Sequence, residues 1–367
     1  MLWDTGWYKK QKNQKSVNRK DTGIEKNMIK LTTLCYLEKE DQYLMLHRTR
    51  KEQDDNKDKW IGVGGKFEYG ESPEECLLRE VKEETGYSLQ SWHFRGIVTF
   101  VYGEDTVEYM YLYTADRWDG EPVVCTEGDL EWVKKEDIWR LNLWEGDRIF
   151  FRLLTEERAF FSLKLVYNIE GILQQAVLDG KKLELFDILN EDGTKSGIVR
   201  ERGVAHLDGS LHATVHIWIA RPNAESGYDI LLQKRSHHKD SNPDCLDISS
   251  AGHISAGDVF LSSAMREAKE ELGLTLDPGK LKELGFHRKK FEGEFYGRPF
   301  RDNQLSKVYL YIEAIDITKL TLQEEEVSEV IWMDYAKCKK GIQENAIKNC
   351  IYLDEFELVG KGLGIEQ

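Results

Sequence analysis

Apolar and polar residues alternate along the chain in short runs that predict β-strands. One such run covers residues 29–36, and another covers residues 185–189. Residues 190–193 read Asn-Glu-Asp-Gly, a composition that predicts a hairpin turn directly after the second run. Each half of the chain combines short strands of this kind with one strong helical pattern, which predicts a mixed α/β layered fold.

The clearest helical pattern lies between residues 72 and 86. Ser72 suits the N-cap, Pro73 the first helical position, and Glu75 completes a capping box. Gly86 supplies the C-terminal stop. The predicted helix has an apolar face for the core, formed by Leu77, Leu78 and Val81. Beside it lie three carboxylates at positions i, i+3 and i+4, those of Glu80, Glu83 and Glu84.

Like charges at this spacing repel one another, by roughly a few tenths of a kcal/mol per pair on an exposed helix. A divalent cation reverses the sign of that interaction, and Mg²⁺ prefers oxygen ligands, including carboxylates and substrate phosphates. The three glutamates therefore indicate a metal site. The alternative is a solvated acidic helix face, which is common for a bare pattern of three glutamates.

The same segment occurs twice in the chain. Residues 79–87 read REVKEETGY, and residues 266–274, which begin 187 positions later, read REAKEELGL. This period has the size of a domain, and 367 residues suffice for two domains. We expect the domains to span residues 28–180 and 181–367, with a helical segment at the C-terminal end of the second. Residues 1–27 are polar and basic, and we expect them to form a flexible tail.

Composition narrows the classes of partner. The chain has 66 acidic against 51 basic residues, a formal net charge of −15, which disfavours a nucleic-acid polymer as partner. No apolar run approaches the ~20 residues needed to cross a bilayer, and no signal-peptide core is visible, so we expect a cytoplasmic protein without a membrane partner. The six cysteines are scattered without a CxxC pair, which indicates neither a disulfide framework nor a zinc site.

The spacing around the first glutamate cluster matches a known signature. From Gly65 through Glu71 to residues 79–87, the chain follows the Nudix box, G-x5-E-x7-R-E-U-x-E-E-x-G-U, where U is bulky and apolar. Seven fixed positions would coincide by chance with odds of about 10⁻⁸ per start site. The second copy begins at Gly252 and departs from the box at Asp258, which replaces Glu, and at the small Ala268.

The chain thus resembles the Nudix hydrolases in two blocks between Met28 and the 330s. The resemblance implies two α/β/α sandwiches with mixed sheets, a small-molecule nucleotide or other diphosphate as substrate, and Mg²⁺ as cofactor, with Mn²⁺ as a substitute. The implied metal ligands are Gly64, Glu80, Glu83, Glu84 and Glu127 in the first half, and Glu267, Glu270 and Glu271 in the second, with Glu326 as a further carboxylate. The resemblance also implies that one glutamate in each half activates the attacking water. The candidates are Glu80 and Glu83 in the first half and Glu267 and Glu270 in the second.

Other implied roles concern support and substrate contact. The residues that support the loop and helix are Gly65, Glu71 and Arg79 in the first box, and Gly252, Asp258 and Arg266 in the second. The implied substrate contacts are Arg48, Lys66, Trp144, Asp147 and Arg235. For Arg48 and Arg235, which would bind phosphate, the alternative is a surface salt bridge.

Beyond the box, the first half is similar to the MutT-type 8-oxo-dGTP diphosphatases, in residues 59–66 and 143–147. The resemblance implies that Trp144 stacks on the base and that Asp147 bonds its edge. The alternative is a core tryptophan beside a surface aspartate. Ile61 and Gly146 depart from the pattern of an animal relative, which leaves the choice of base open.

The second half is similar to the hydrolase relatives of isopentenyl-diphosphate isomerase. His206, His212 and His253 approximate the three histidines of its metal site, and the alternative is polar packing. The isomerase's catalytic cysteine falls at Ala251, and one essential glutamate falls at Gln304, near Asp302. Without a thiol to transfer a proton, isomerase activity is not expected.

The leading functional hypothesis is hydrolysis of an oxidised or non-standard nucleoside triphosphate by the first half, beside a second Nudix hydrolase of open substrate. The alternative substrates are dinucleotide polyphosphates, nucleotide sugars or prenyl diphosphates. The second half could instead be a sensing or interaction module without catalysis. Residues 335–367 contain an amphipathic stretch with Ile342, Ala346, Ile347 and Ile351, which predicts a packing helix.

Overall fold

A computed structural model describes residues 28–50, 55–224, 227–239, 241–295 and 298–365. The tail expected over residues 1–27 lies outside the described residues. Within the described part of the chain, none of the helices has the length and apolar character that a membrane crossing requires.

The first half forms one mixed sheet with a helix on each face. Its elements are β1 (Met28–Lys39), β2 (Gln42–His47), β3 (Trp60–Ile61), α1 (Pro73–Thr85), β4 (Ser88–Tyr102), β5 (Thr106–Asp119), β6 (Asp129–Lys134), α2 (Glu145–Thr155), β7 (Phe161–Tyr167), β8 (Leu173–Leu178) and β9 (Lys181–Lys182). The strand order is β3-β2-β1-β5-β4-β7-β8-β9, with β6 paired to β2. The pairs β1–β5 and β4–β7 are parallel and the others antiparallel.

Successive residues of β1 face the two helices. Cys35 is buried in a cluster with Leu77 and Val81 of α1, whereas Tyr36 is buried on the opposite face in a cluster with Phe150 of α2. This alternation follows from the two-residue period of a strand. The expected α/β/α sandwich is confirmed.

The second half repeats this architecture with extra elements at its start. Its elements are β10 (Leu185–Leu189), β11 (Lys195–Glu201), α3 (Arg202–Asp208), β12 (His212–Pro222), β13 (Tyr228–Arg235), β14 (Leu246–Asp247), β15 (Ser250–His253), α4 (Phe260–Leu272), β16 (Leu281–Phe295), β17 (Arg298–Ile312), β18 (Val327–Asp334), α5 (Tyr335–Gln343) and α6 (Leu353–Leu363). The central strand β12 is parallel to β17 and antiparallel to β10, β13 and β15. Helix α4 packs on one face of the sheet, and α5 and α6 pack on the other.

The predicted caps of the first box helix are present. Ser72 Oγ accepts a hydrogen bond from the Glu75 amide at 3.2 Å, and Glu75 Oε2 accepts one from the Ser72 amide at 2.8 Å. Gly86 ends the helix with φ +80°, a left-handed conformation that a side chain would strain.

The sequence predicted one packing helix within residues 335–367, but the structure has two shorter helices there, α5 and α6. Helix α5 ends at Gln343, and Asn345 adopts φ +51°. The Ala346 amide then bonds back to the Gly341 carbonyl at 2.9 Å, a C-terminal closure for which asparagine is suited. Ala346, Ile347 and Ile351 therefore lie in the connection to α6, where Ile351 is buried.

The seam between the halves is a packed interface. Strand β9 still belongs to the first sheet and β10 belongs to the second, so we propose the domain boundary between Lys182 and Leu185. Leu185, Val199 and Val204 are buried in the same apolar cluster as the core of the first half. Burial of apolar surface across this seam stabilises the two halves as one unit.

Candidate active sites

The first box glutamate packs directly against a glycine. A Cβ built on Gly65 would lie 2.4 Å from Glu80 Oε1, closer than atoms can approach. Arg79 Nη1 donates to the same oxygen at 2.8 Å. A side chain at Gly65 would therefore displace the Glu80 carboxylate from this position.

Arg79 joins the helix to the preceding loop. Its Nε and Nη2 donate to the two carboxylate oxygens of Glu71 at 2.7 and 2.9 Å, a bidentate geometry. Nη2 also donates to the Lys66 carbonyl at 3.1 Å. The hydrogen bond from Arg79 lowers the pKa of Glu71 to about 2, so this carboxylate remains charged.

The other two glutamates of the first cluster point in different directions. Glu84 is 7% exposed and accepts a hydrogen bond from the Gly64 amide at 2.8 Å. Glu83 has a side chain that is 61% exposed and lies 3.5 Å from Arg79. Gly64 has φ +146°, and a Cβ there would meet the Thr33 carbonyl oxygen at 2.2 Å. Glu83 thus faces solvent, whereas Glu80 is held against Gly65 with 16% of its side chain exposed, and Glu84 supports the loop.

Of the two basic residues expected to contact substrate in the first half, Arg48 is already paired with a carboxylate. Arg48 forms an ion pair with Glu127, the proposed further carboxylate. Lys66 has an exposed side chain, and its carbonyl accepts the bond from Arg79. Arg48 thus forms a salt bridge, which was the alternative to phosphate binding. This salt bridge is not at the open surface, because only 11% of the arginine side chain is exposed.

Trp144 and Asp147 begin helix α2. Trp144 is half-buried, its Nε1 donates to Asn56 Oδ1 at 2.8 Å, and Lys59 Nζ lies 4.7 Å from its ring centroid. Asp147 is 5% exposed, so the alternative of a surface aspartate does not hold. Burial raises the pKa of Asp147 to about 7, against the opposing charge of Lys59.

The second box repeats the glycine–glutamate packing. A Cβ on Gly252 would lie 2.0 Å from Glu267 Cδ. Arg266 Nη1 lies 2.8 Å from Glu267 and 3.2 Å from Glu270, and Nη2 donates to the His253 carbonyl at 3.3 Å. Among the described residues, Arg266 has no hydrogen bond or ion pair with Asp258, whose side chain is one methylene shorter than glutamate.

Glu271 holds the second loop as Glu84 holds the first. It is 6% exposed and accepts from Ser250 Oγ at 2.6 Å and from the Ala251 amide at 3.2 Å. Burial raises the pKa of Glu271 to about 8 and that of Glu267 to about 7. Without a cation, Glu267 and Glu271 are therefore partly protonated at neutral pH, and the site carries less negative charge than two ionised glutamates would give.

Two further predicted residues of the second half also have partners. Glu326 forms an ion pair with Lys239. Arg235 Nη1 donates to Asp247 at 3.0 Å, and its Nε donates to the Ser241 carbonyl at 3.1 Å. Arg235 is thus held in a fixed position beside the second box.

The three histidines meet in one buried cluster. Their ligand atoms, from His206, His212 and His253, all lie within 4.8 Å of one another. In the described part of the chain, His206 Nε2, His212 Nε2 and Asp302 Oδ1 are buried without a hydrogen-bond partner. Asp302 Oδ1 lies 3.9 and 3.8 Å from those two nitrogens.

This donor set fits a cation. Buried polar atoms are normally paired, so three orphaned atoms facing one another indicate a missing partner. Imidazole nitrogens with a carboxylate suit transition metals such as Zn²⁺ or Mn²⁺. Burial lowers the pKa of His206 to about 3, which keeps its ring neutral and able to act as a ligand. Gln304 Nε2 lies 3.5 Å from His253 Nε2, at the edge of the cluster.

The second box glutamates and the histidine cluster border one cavity of about 1580 Å³. Its lining includes Glu267, Glu271 and His253, as well as Arg152 of helix α2 from the first half. The first half therefore contributes a wall to the second site. The sequence could not show this, because the contact depends on how the two sandwiches pack.

Glu355 also lines this cavity and is 2% exposed, but the sequence did not predict it as a site residue. Its hydrogen-bond partner His216 is 139 positions away, so no local pattern links them. One signal was available: Tyr352 and Glu355 repeat the aromatic-x-x-acid spacing of Trp144 and Asp147.

Comparisons with known proteins place the chain in a family. The NUDIX domain matches twice, over residues 28–154 and 210–350. Nudix hydrolase 3 of Arabidopsis thaliana is 41% identical over 164 residues, which cover 44% of this chain and 20% of that protein. An uncharacterized Nudix hydrolase of Clostridium acetobutylicum is 33% identical over 144 residues, covering 39% of this chain and 66% of that protein.

An oxidized purine nucleoside triphosphate hydrolase of Danio rerio is 31% identical over 103 residues, covering 28% of this chain and 66% of that protein. The chain thus spans less than two thirds of the length of these relatives. A solved MutT protein of Bacillus halodurans is 28% identical with a TM-score of 0.37, covering 41% of this chain and 97% of that one. Because the two matched segments together cover more than half of the sequence, the protein belongs to the Nudix family and contains two Nudix domains.

Proposed function

We propose that the protein is a divalent-cation-dependent hydrolase of phosphoanhydride bonds with a site in each domain. The first domain converts an oxidised or non-standard nucleoside triphosphate, such as 8-oxo-dGTP, to the monophosphate and pyrophosphate. The second domain performs the same chemistry on a different diphosphate. One observation carries the proposal: in both halves a box glutamate packs on a glycine and pairs with the preceding arginine.

In the first domain, Glu80 and Glu83 are the residues that would hold Mg²⁺, because their oxygens are the ligands it prefers and both carboxylates lie within 3.5 Å of the same Arg79 nitrogen. When bound, the cation neutralises phosphate charge and lowers the pKa of water. Glu80 or Glu83 takes the proton of the attacking water. Oxygen of that water bonds to phosphorus while the bridging P–O bond breaks, and pyrophosphate leaves.

Trp144 and Asp147 support an oxidised purine as the substrate of the first domain. The half-buried indole offers a stacking face, and the nearby carboxyl, with its pKa of about 7, can accept or donate a hydrogen bond near neutral pH. The relatives named as oxidized purine nucleoside triphosphate hydrolases in fish and mouse agree with this assignment.

The test is pyrophosphate release from a nucleotide panel by the 367-residue chain with Mg²⁺ or Mn²⁺. We expect Glu83→Gln to lower turnover of the first domain's substrate about a hundredfold or more, as loss of a proton-transferring group does. Glu74→Gln is the matched control, since Glu74 is an exposed glutamate of the same helix. Unchanged turnover in Glu83→Gln would refute the assigned chemistry.

A second candidate keeps the first site catalytic and makes the second domain a sensing or interaction module. The missing contact between Asp258 and Arg266 favours it, because that loop lacks the connection that Glu71 provides in the first domain. Dinucleotide polyphosphates, nucleotide sugars and prenyl diphosphates belong in the same substrate panel. Glu270→Gln separates the candidates, since it abolishes one product class only if the second domain turns over.

We further propose that His206, His212 and His253, with Asp302, form a second cation site. The orphaned buried nitrogens and carboxylate oxygen support it. Metal content after dialysis against Zn²⁺ or Mn²⁺ tests it directly: His212→Asn should lose one bound ion per chain. His237→Asn, whose side chain is 80% exposed, should retain it. Equal metal content in both variants would refute the site.

A further inference from the structure

We propose that strand β16 of the second domain is an interface for a second copy of this chain, whose own β16 pairs with it in antiparallel orientation across a twofold axis. The second-domain sheets of the two copies then form one continuous sheet, and each copy borders the cavity of the other. This interaction surface is independent of the proposed hydrolase function, because it follows from the strand pairing and the charges of β16.

The outer edge of β16 is open to a further strand. Residues 281–295 of β16 pair with β17 on one side. In the described part of the chain, no second strand pairs with β16 on its other side. An open strand edge presents a row of backbone amides and carbonyls, which makes it a template for pairing with another strand.

A strand does lie at the corresponding edge of the first domain. Strands β5 and β17 are both parallel to the central strand of their sheet, and β4 and β16 are their antiparallel neighbours. Gly96 of β4 and Gly285 of β16 each follow a break in the register with that neighbour, so the two strands correspond. Residues 96–102 of β4 pair on their outer side with residues 161–167 of β7. This edge of the fold therefore accommodates an added strand.

The charges of β16 complement one another when the strand pairs with its own copy. A twofold axis requires that one residue lie opposite itself. With residue 291 at the axis, Lys290 lies opposite Glu292 of the second copy. In the same register, Arg288 lies opposite Glu294. The axis repeats both pairs, so four pairs of opposite charge form on one face of the joined sheet.

Neighbouring registers are unfavourable. An axis at residue 290 would place two lysines opposite each other, and an axis at residue 292 would place two glutamates opposite each other. Lysines at a sheet edge usually oppose pairing, because two basic edges repel. Here Lys290 shares its face with Glu292 at 3.4 Å, and the two side chains are 66% and 59% exposed. The edge therefore presents both signs of charge, which favours one register over the others.

The other face of β16 belongs to the second site. Lys289 and Phe291 alternate with the charged residues and line the cavity. In the proposed register, Phe291 of the second copy lies directly opposite Phe291, with about 5 Å between their Cβ atoms. Phe291 is 39% exposed in one copy, and the second ring would cover part of it. The second copy thus extends the wall of each cavity with an apolar side chain.

Sedimentation equilibrium of the 367-residue chain tests the interface without requiring a substrate. We expect a monomer–dimer equilibrium between about 1 and 100 μM, the range of a modest interface. Lys290→Glu should weaken dimerisation about tenfold, because it places glutamate opposite Glu292 twice. The double variant Lys290→Glu, Glu292→Lys should restore it, since each pair forms again with its charges exchanged.

Lys134→Glu is the matched control. Lys134 lies 3.6 Å from Glu136 at the end of a strand of the first sheet, and these side chains are 60% and 70% exposed. Thermal unfolding confirms that the variants fold. A monomer at every concentration would overturn the proposal, as would equal weakening by Lys134→Glu and Lys290→Glu or no recovery in the double variant.

Disulfide formation tests the register. A cysteine at position 291 lies opposite its own copy, so Phe291→Cys should form a covalent dimer under mild oxidation. Position 288 lies about 20 Å from its copy in this register, so Arg288→Cys should stay monomeric on a non-reducing gel. The parent chain controls for its own cysteines, of which Cys350 is half-buried and the others are buried. Equal covalent dimer in both variants, or none in Phe291→Cys, would exclude this register.

Discussion

The Glu267 carboxylate occupies the space that a side chain on Gly252 would need, with Cδ only 2.0 Å from the position of a Cβ. The same relationship joins Glu80 and Gly65 at 2.4 Å. Both box glutamates are therefore positioned by the absence of a side chain on the facing loop.

This packing predicts the effect of a single methyl group. Gly65→Ala should displace the Glu80 carboxylate and lower first-domain turnover at least tenfold, because small misplacements of reacting groups are costly. Gly279→Ala, where the nearest atom to a Cβ is a flexible Asp277 oxygen at 3.3 Å, is the control and should be silent. Steady-state kinetics measures the effect, and wild-type turnover in Gly65→Ala would contradict it.

The buried Asp147 makes stability depend on pH. Its folded-state pKa of about 7 exceeds the unfolded value near 3.8, so the folded state binds more protons between about pH 4 and 7. Stability should therefore fall as pH rises through this range. Asp147→Asn removes the ionisation, and we expect the variant to be more stable than wild type at pH 8 but not at pH 4. Urea unfolding at both pH values measures this difference, and a pH-independent difference would contradict it.

The same substitution should harm recognition in the first domain. Asp147→Asn keeps the shape but replaces a carboxyl that titrates near neutral pH. We expect KM for an oxidised purine triphosphate to rise, with kcat changing less. Measurement of KM against pH provides the check, since a pH dependence near 7 in wild type should vanish in the variant.

Glu355 should show the opposite dependence on pH. Its folded pKa lies below its ordinary value, so its ion pairs stabilise the protein above the ordinary glutamate range and are lost as pH falls through the folded pKa. Glu355→Gln should cost about 3 kcal/mol at pH 7, as loss of one partner from a buried charged cluster does. The difference from wild type should shrink at acid pH in denaturant titrations, and a constant difference from pH 7 to pH 3 would exclude this account.

The two domains should unfold as one unit. Arg200 Nε and Nη2 bond to the two carboxylate oxygens of Glu145 across the seam at 2.7 and 2.8 Å, beside the shared apolar cluster. Arg200→Ala leaves Glu145 partly buried, and we expect a loss of about 2 kcal/mol in one cooperative transition. Calorimetry that resolves two transitions, with only one of them shifted, would show independent domains.

The two boxes and their helix ends could be predicted because they are local. Ser72, Glu75 and Gly86 lie within one helix, and their hydrogen bonds follow from helix geometry. The link between Glu355 and His216 spans 139 positions and depends on how α6 packs on β12. The end of α5 at Gln343 was not predicted, because the apolar periodicity continues through Ile347. Asn345, which adopts a left-handed conformation, was the residue that indicated a helix end.

The box glutamates of both domains should hold a divalent cation next to a phosphoanhydride. Mn²⁺ binding, followed by electron paramagnetic resonance with a non-hydrolysable nucleotide analogue, tests it most directly. We predict that the double variant Glu83→Gln, Glu270→Gln binds fewer ions than wild type, while His237→Asn, with its exposed histidine, binds the wild-type number. Equal numbers of bound ions, with equal affinities, in the double variant and wild type would contradict the account.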